Sequence, residues 1–156
     1  LLQQPKLLFP LYDGNKSETN PSIFHNSYHE LLAQVENYTR IYTDGSKDEE
    51  KAAAAFVSGK RTTKVRLPNG TTIFSADIRA MDLALQYMES KRILNSIIFS
   101  DSQSVLQSLH NRRLKNPLLA NILLKDTELS ISHNIAYCWL PSHVGIKRSR
   151  QSRLRC

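Results

Sequence analysis

Two spacings of apolar residues divide the chain from residue 38 onward. Thr62–Leu67 alternates with a period of two, Val65 and Leu67 on one side and Lys64 and Arg66 on the other, as a strand does. Arg40–Ser46 and the alanine-rich Lys51–Ser58 are two more strand candidates, with turn residues at 48–50 and at Pro68-Asn69-Gly70. The period then lengthens. Ile78, Met81, Leu85 and Met88 form one stripe of a helix from about Ser75 to Ser90, with Ser75 as the expected N-cap. Ser96–Ser100 reads as a buried strand, Ser102–Asn111 as a helix built on Val105, Leu106 and Leu109, and Asn134–Leu140 as the last strand. Asn116 and Pro117 stand in cap and first-turn order before a helix to about Ser130. Three strands, a helix, a strand, two helices and a strand imply an α/β fold, a five-stranded mixed sheet flanked by helices.

The ends are less regular. Residues 1–21 mix apolar residues with Pro5, Pro10, Gly14 and Pro21 and read as a linker or a loosely docked arm; 22–36 suggests a short helix through Phe24, Tyr28, Leu31 and Leu32. The division expected is an arm with a short helix at 1–37, a domain at 38–146 and an aberrant basic tail at 147–156. A length of 156 residues allows one domain with a real core. No apolar run reaches membrane-span length and no signal peptide opens the chain, so a membrane partner and secretion are not expected. Cys138 and Cys156 match no metal spacing and suggest a reducing compartment, within the nucleus or cytoplasm.

Charge changes this picture less than its total suggests. The net charge is +7, but the tail holds Lys147, Arg148, Arg150, Arg153 and Arg155 with no acid, so the other 146 residues carry only +2. Bulk charge therefore identifies no partner.

Individual residues are more informative. Asp44, Asp77 and Asp101 fall on three separate elements, and two-metal phosphodiester hydrolysis needs carboxylates that converge in this way. Each also has an ordinary reading. Asp44-Gly45 is a hairpin signal. Asp77 in a first helical turn complements the helix dipole. Asp101 before a helix fits an N-cap, yet it also ends a strand, where α/β proteins place ligands. His143 lies in a Pro-Ser-His-Val-Gly loop, while Tyr137 and Trp139 read as core. Arg112, Arg113 and Lys115 form a small basic cluster between helices that fits either a solvated loop or a phosphate contact. With no Gly-rich phosphate loop, an ATPase on a similar fold is disfavoured.

Four segments taken together, Tyr-Thr-Asp-Gly-Ser-Lys at 42–47, Phe-Ser-Ala-Asp-Ile-Arg-Ala-Met at 74–81, Ile-Phe-Ser-Asp-Ser-Gln-Ser-Val-Leu at 98–106 and Trp-Leu-Pro-Ser-His-Val-Gly-Ile at 139–146, resemble the type-1 ribonuclease H domain. Their wording is similar to the form found in reverse-transcriptase polyproteins of non-LTR retrotransposons, and the resemblance covers residues 39–146. It implies a monomeric domain, joined to the rest of such a polyprotein, that hydrolyses RNA in RNA–DNA hybrids with Mg2+, or with Mn2+ in its place. Asp44, Asp77 and Asp101 would be the metal ligands and, with His143 in proton transfer or product release, the catalytic residues. Ser46, Arg112, Arg113 and Lys115 would contact substrate, chiefly through phosphates and 2′-hydroxyls.

Two departures from the family pattern bear on activity. Aspartate stands at 77 where the family has glutamate, which shortens the reach by roughly 1.3 Å against a tolerance of about 0.5 Å. The family's fourth acidic ligand opens a final helix, and its position falls on Arg153, which repels cations. The tail has no apolar period, so that helix is expected to be missing, as after a frameshift. The alternative to an enzyme is therefore an inactive remnant of the fold that keeps residual nucleic-acid binding.

Overall fold

A computed structural model describes residues 4–7 and 29–141. Its sheet has six strands: β1 (Lys6–Leu7), β2 (Thr39–Asp48), β3 (Lys51–Ser58), β4 (Arg61–Leu67), β5 (Asn95–Ser100) and β6 (Asn134–Trp139). The order is β1-β6-β5-β2-β3-β4. From β1 to β2 all pairings are parallel; from β2 to β4 they are antiparallel. The five expected strands are all present. The sixth comes from the N-terminal arm, where Lys6 and Leu7 register with Ala136 and Tyr137, Pro5 is buried, and the Gln4 side-chain amide donates to the His110 carbonyl at 3.1 Å. Residues 4–7 are thus docked rather than loose.

The helices are α1 (29–34), α2 (Ile73–Ser90), α3 (Gln103–His110) and α4 (Pro117–Leu129). The expected stripe of α2 is wholly buried, with Ile78, Met81, Leu85 and Met88 in one cluster with Ile98, Leu106 and Ile122. Leu31 and Val35, in and just after α1, join that cluster; Phe24 and Tyr28 lie outside the described residues. Asn116 caps α4 as expected, accepting from the Leu118 and Leu119 amides at 2.9 and 3.3 Å. Helix α2 starts earlier than expected: Thr72 is the N-cap, and it accepts from the Ser75 amide at 3.1 Å.

Strand β4 keeps the two expected faces, Val65 and Leu67 registering with Ala54 and Ala52, and Lys64 and Arg66 with Ala55 and Ala53. Leu67 is buried but Val65 is 39% exposed, because α2 lies across β2 and β3 and leaves most of the edge strand uncovered. Helices α2 and α3 both end with an arginine at positive φ, Arg92 and Arg112, each at 53°. In each case the arginine amide and the next one reach back to the last turn, as Arg112 N–H does to Leu109 O and Arg113 N–H to Ser108 O. Glycine is the usual residue in that backbone conformation.

Candidate active site

Strand β2 is the hinge of the sheet's architecture, pairing parallel with β5 on one side and antiparallel with β3 on the other. The register of Tyr42 with Phe99 sets the next residues of both strands side by side. Asp101 therefore follows the carboxyl end of β5 and Asp44 lies beside it in β2, just past the last parallel pair of the two strands, near where open α/β sheets bind ligands. The Thr43 hydroxyl fixes this junction by donating to the Phe99 carbonyl at 2.6 Å. On the other side of β5, the Trp139 indole N–H donates to the Asp101 carbonyl at 3.3 Å, so this core tryptophan also holds the aspartate's backbone.

The third acid arrives from α2 by an unusually close approach. A Cβ built on Gly45 would lie 2.4 Å from the Asp77 amide nitrogen and 2.6 Å from the Ala76 carbonyl carbon, so only glycine lets the helix start this near the strand. The Gly45 amide uses that proximity to donate to Asp77 Oδ1 at 3.0 Å. Asp44-Gly45 is consequently mid-strand and not a hairpin; the turn lies at Glu49 and Glu50, with Glu49 at positive φ.

Asp77 is only 8% exposed, and its carboxyl is pushed up from 3.8 to about 7. Burial is the largest cause, followed by the negative charge of Asp101 and, after the opposing Gly45 hydrogen bond, that of Asp44. The Ser102 hydroxyl also favours the ionised form. Ser102, and not Asp101, is the N-cap of α3, accepting from the Val105 amide at 3.3 Å. One serine thus ties the start of α3 to the acid on α2, while Asp101 is spared the capping role that its position suggested.

Mutual repulsion among oxygen ligands is the electrostatic condition that a hard divalent cation relieves, so the donor chemistry fits such an ion. The geometry is less closed. Among the described residues no three His, Cys, Asp or Glu side chains gather as a single ligand set. Gly45 faces α2, so by strand alternation Asp44 leaves on the opposite face. His143 and Arg153 lie outside the described residues.

The expected substrate residues fall in two places. Arg112, Arg113 and Lys115 are exposed and, with Phe74, Ser108 and Asn116, line a cleft of ≈ 560 Å³ between the starts of α2 and α4 and the end of α3. Ser46 is apart from them, half-buried in β2 on the same face as Asp44. Sequence reasoning missed Thr43, Thr72 and Ser102, small hydroxyl residues of which Thr72 has a local capping role while Thr43 and Ser102 act on partners distant in sequence, Phe99 and Asp77. Gly45 carried a signal, its place inside an apolar-flanked strand, where glycine can mark a close backbone approach.

A model of the RNase H family matches residues 36–152, three quarters of the chain. The chain belongs to the RNase H family. Its fold agrees with that assignment. LC11-RNase H1, solved in complex with an RNA/DNA hybrid, is similar with a TM-score of 0.58 and 18% identity over 74% of this chain and 91% of that one. An RNase H1 from the halophilic archaeon Halobacterium salinarum NRC-1 is similar with a TM-score of 0.55 and 19% identity over 67% and 86% of the two chains. No curated protein matches the sequence. The family match runs past Ile146 into the basic tail and stops one residue before Arg153. Among the described residues of this RNase H domain no helix is long and apolar enough to cross a membrane.

Proposed function

We propose that this RNase H domain hydrolyses the RNA strand of RNA–DNA hybrids, with Asp44, Asp77 and Asp101 as the carboxylates that hold Mg2+ or Mn2+. The observation that carries the reading is the coupling at the switch point of the sheet, where the charges of Asp101 and Asp44 bear on a buried Asp77. The hybrid bound to LC11-RNase H1 supports the substrate class. A divalent cation, when bound, would activate a water and stabilise charge on the phosphate.

The chain's own residues supply the rest. Gly45 and Ser102 orient the Asp77 carboxylate and favour its ionised form. Trp139 and Thr43 hold the backbones from which Asp101 and Asp44 project. Arg112, Arg113 and Lys115 offer three cations to the phosphates of one strand beside the cleft at Asn116. His143 is the proposed group for proton transfer or product release. The wording of the four motifs supports an origin in a non-LTR retrotransposon polyprotein.

A second reading, an inactive remnant that retains hybrid binding, is favoured by the incomplete ligand set among the described residues and by Arg153 at the place of the fourth acid. Cleavage of end-labelled RNA in a hybrid, with Mg2+ and with Mn2+, separates the two. Activity that Asp44→Asn abolishes establishes the enzyme. Equal activity in both chains, or none in either, sinks the catalytic reading. Restoring a Gly-Asn-Glu-x-Ala-Asp tail should raise activity if the fourth ligand is the defect; otherwise Asp77→Glu is the change expected to raise it.

A further inference from the structure

Across the antiparallel half of the sheet, register partners share a face. Opposite α2, this places Asp44, Ala55 and Lys64 in one row and Ser46, Ala53 and Arg66 in the next, with Asp48 beside Lys51 after them. The middle member of the first two rows is alanine, so the floor between β2 and β4 is low and the long cations of β4 rise at its edge. Along β3 the cover falls away in the same direction: Val57 and Ala55 are buried, Ala53 is half-buried and Lys51 is exposed. The result is an open trough of ≈ 530 Å³ lined by Ser46, Lys51, Ala53, Lys64 and Arg66, with Asp48 its acid.

Among the described residues no ion pair engages the trough's cations; the pair is Lys125 with Asp82, which joins α4 to α2. Among the same residues Arg66 donates to the neutral Asn69 side chain, at 3.1 Å. Positive charge is thus kept on an exposed surface whose inner end, at Ser46 and Lys64, adjoins the row of Asp44. Two strand steps of about 4.8 Å separate Asp44 from Lys64, a span of about 10 Å, comparable to the axial rise of about three nucleotides.

We propose that this trough is a phosphate track: the backbone of the substrate strand crosses β2, β3 and β4 from Asp44 outward, its phosphates meeting Lys64, Arg66 and Lys51. The track is separate from the Arg112–Lys115 cluster, which lies at the end of α3. It rests on the hybrid-hydrolase reading for the identity of the strand. An acidic protein segment is the other polyanion that such a trough could accept. The row leading to Asp44 favours nucleic acid, because a strand that crosses the trough would bring a phosphate to the acids proposed to hold the divalent cation.

The test uses the full chain carrying Asp44→Asn, so that binding is measured apart from cleavage. A fluorescent RNA–DNA hybrid is titrated at several salt concentrations against this protein and against the same protein with Lys51→Ala, Lys64→Ala and Arg66→Ala. The three changes should weaken binding about tenfold or more and lower the slope of log K against log salt by about 2 to 3. A charge-keeping set, Lys51→Arg, Lys64→Arg and Arg66→Lys, should retain affinity. All three sites are at the uncovered edge, so thermal unfolding should match that of the parent. Unchanged affinity and slope in the alanine set would overturn the track, as would absence of any hybrid binding, or tighter binding of a poly-glutamate peptide than of the hybrid. Because cleavage is scored separately on the Asp44 chain, failure of catalysis alone leaves a positive binding result in favour of the track.

Discussion

Two buried aspartates of this domain sit in different surroundings. Asp77, at the start of α2, faces the charges of Asp101 and Asp44 and is held by the Gly45 amide. Asp126, on α4, is 1% exposed; it accepts from the Tyr137 hydroxyl at 2.8 Å, and its second oxygen has no hydrogen-bond partner among the described residues. Burial raises both carboxyls, but only for Asp77 do other acids add to the effect. Burial by itself raises a carboxyl that ties a helix to the sheet through one hydrogen bond. A site capable of attracting a cation also needs like charges brought in from other elements.

The largest expected effect breaks the first region alone. Gly45→Ala places a methyl against backbone atoms of α2, so the helix must retreat, and a loss of about 3 kcal/mol or more is expected in urea unfolding. A loss under 1 kcal/mol would show that α2 can withdraw freely and that the contact does not position Asp77.

Next, Asp77→Asn keeps the acceptor for Gly45 and removes the repelled charge. In metal-free buffer the folded protein holds the Asp77 proton up to about pH 7 while the unfolded chain releases it near 3.8. Native stability should therefore fall between about pH 4 and 7 and then level off. Asp77→Asn should flatten this decline and leave the protein about 2 to 3 kcal/mol more stable at pH 8. Mg2+ or Mn2+ should raise the melting temperature of the parent at pH 8, less so that of Asp77→Asn, and should act undiminished on Asp126→Asn. An equal metal response in all three would erase the distinction between the two regions.

Tyr137→Phe sharpens the comparison from the other side, since it leaves Asp126 with both oxygens unpaired. A loss of about 2 kcal/mol at neutral pH is expected in chemical unfolding, with no change in the metal response. The smallest effect is Arg92→Gly, which relieves a left-handed backbone position and should stabilise by about 0.5 kcal/mol. The same change at Arg112 should also stabilise, but at the expense of hybrid affinity, because that arginine stands in the proposed binding cluster.

The fold was legible wherever a long periodic segment carried the signal. The stripe of α2 and the Asn116-Pro117 start of α4 are local patterns, and both form as read. Strand β1 was invisible because two residues have no period; β6 supplies its reason to be a strand. Val65 lies on the face that alternation gave it, but alternation does not say whether a helix covers that face. At the site, the acids stood out through their joint order along the chain. Their ordinary readings failed for a structural reason at two of the three positions: Glu49 and Glu50 make the turn that Asp44-Gly45 advertised, and Ser102 takes the cap that Asp101 could have taken. Which hydroxyl meets which carboxylate depends on the crossing of α2, β2 and α3, and no single segment encodes it.

The two borders of the sheet are finished in different ways. One ends in the two-residue β1; the other ends in β4, seven residues long with its outer backbone groups unpaired by any other strand of the described sheet. Such a border is a template on which another chain can add a strand, and charge is a common deterrent. Arg61, Lys64 and Arg66 therefore also guard the domain against stacking on itself. Preparations in which they are neutralised should show concentration-dependent association in light scattering, so the row that would grip a nucleic acid is also a safeguard of solubility.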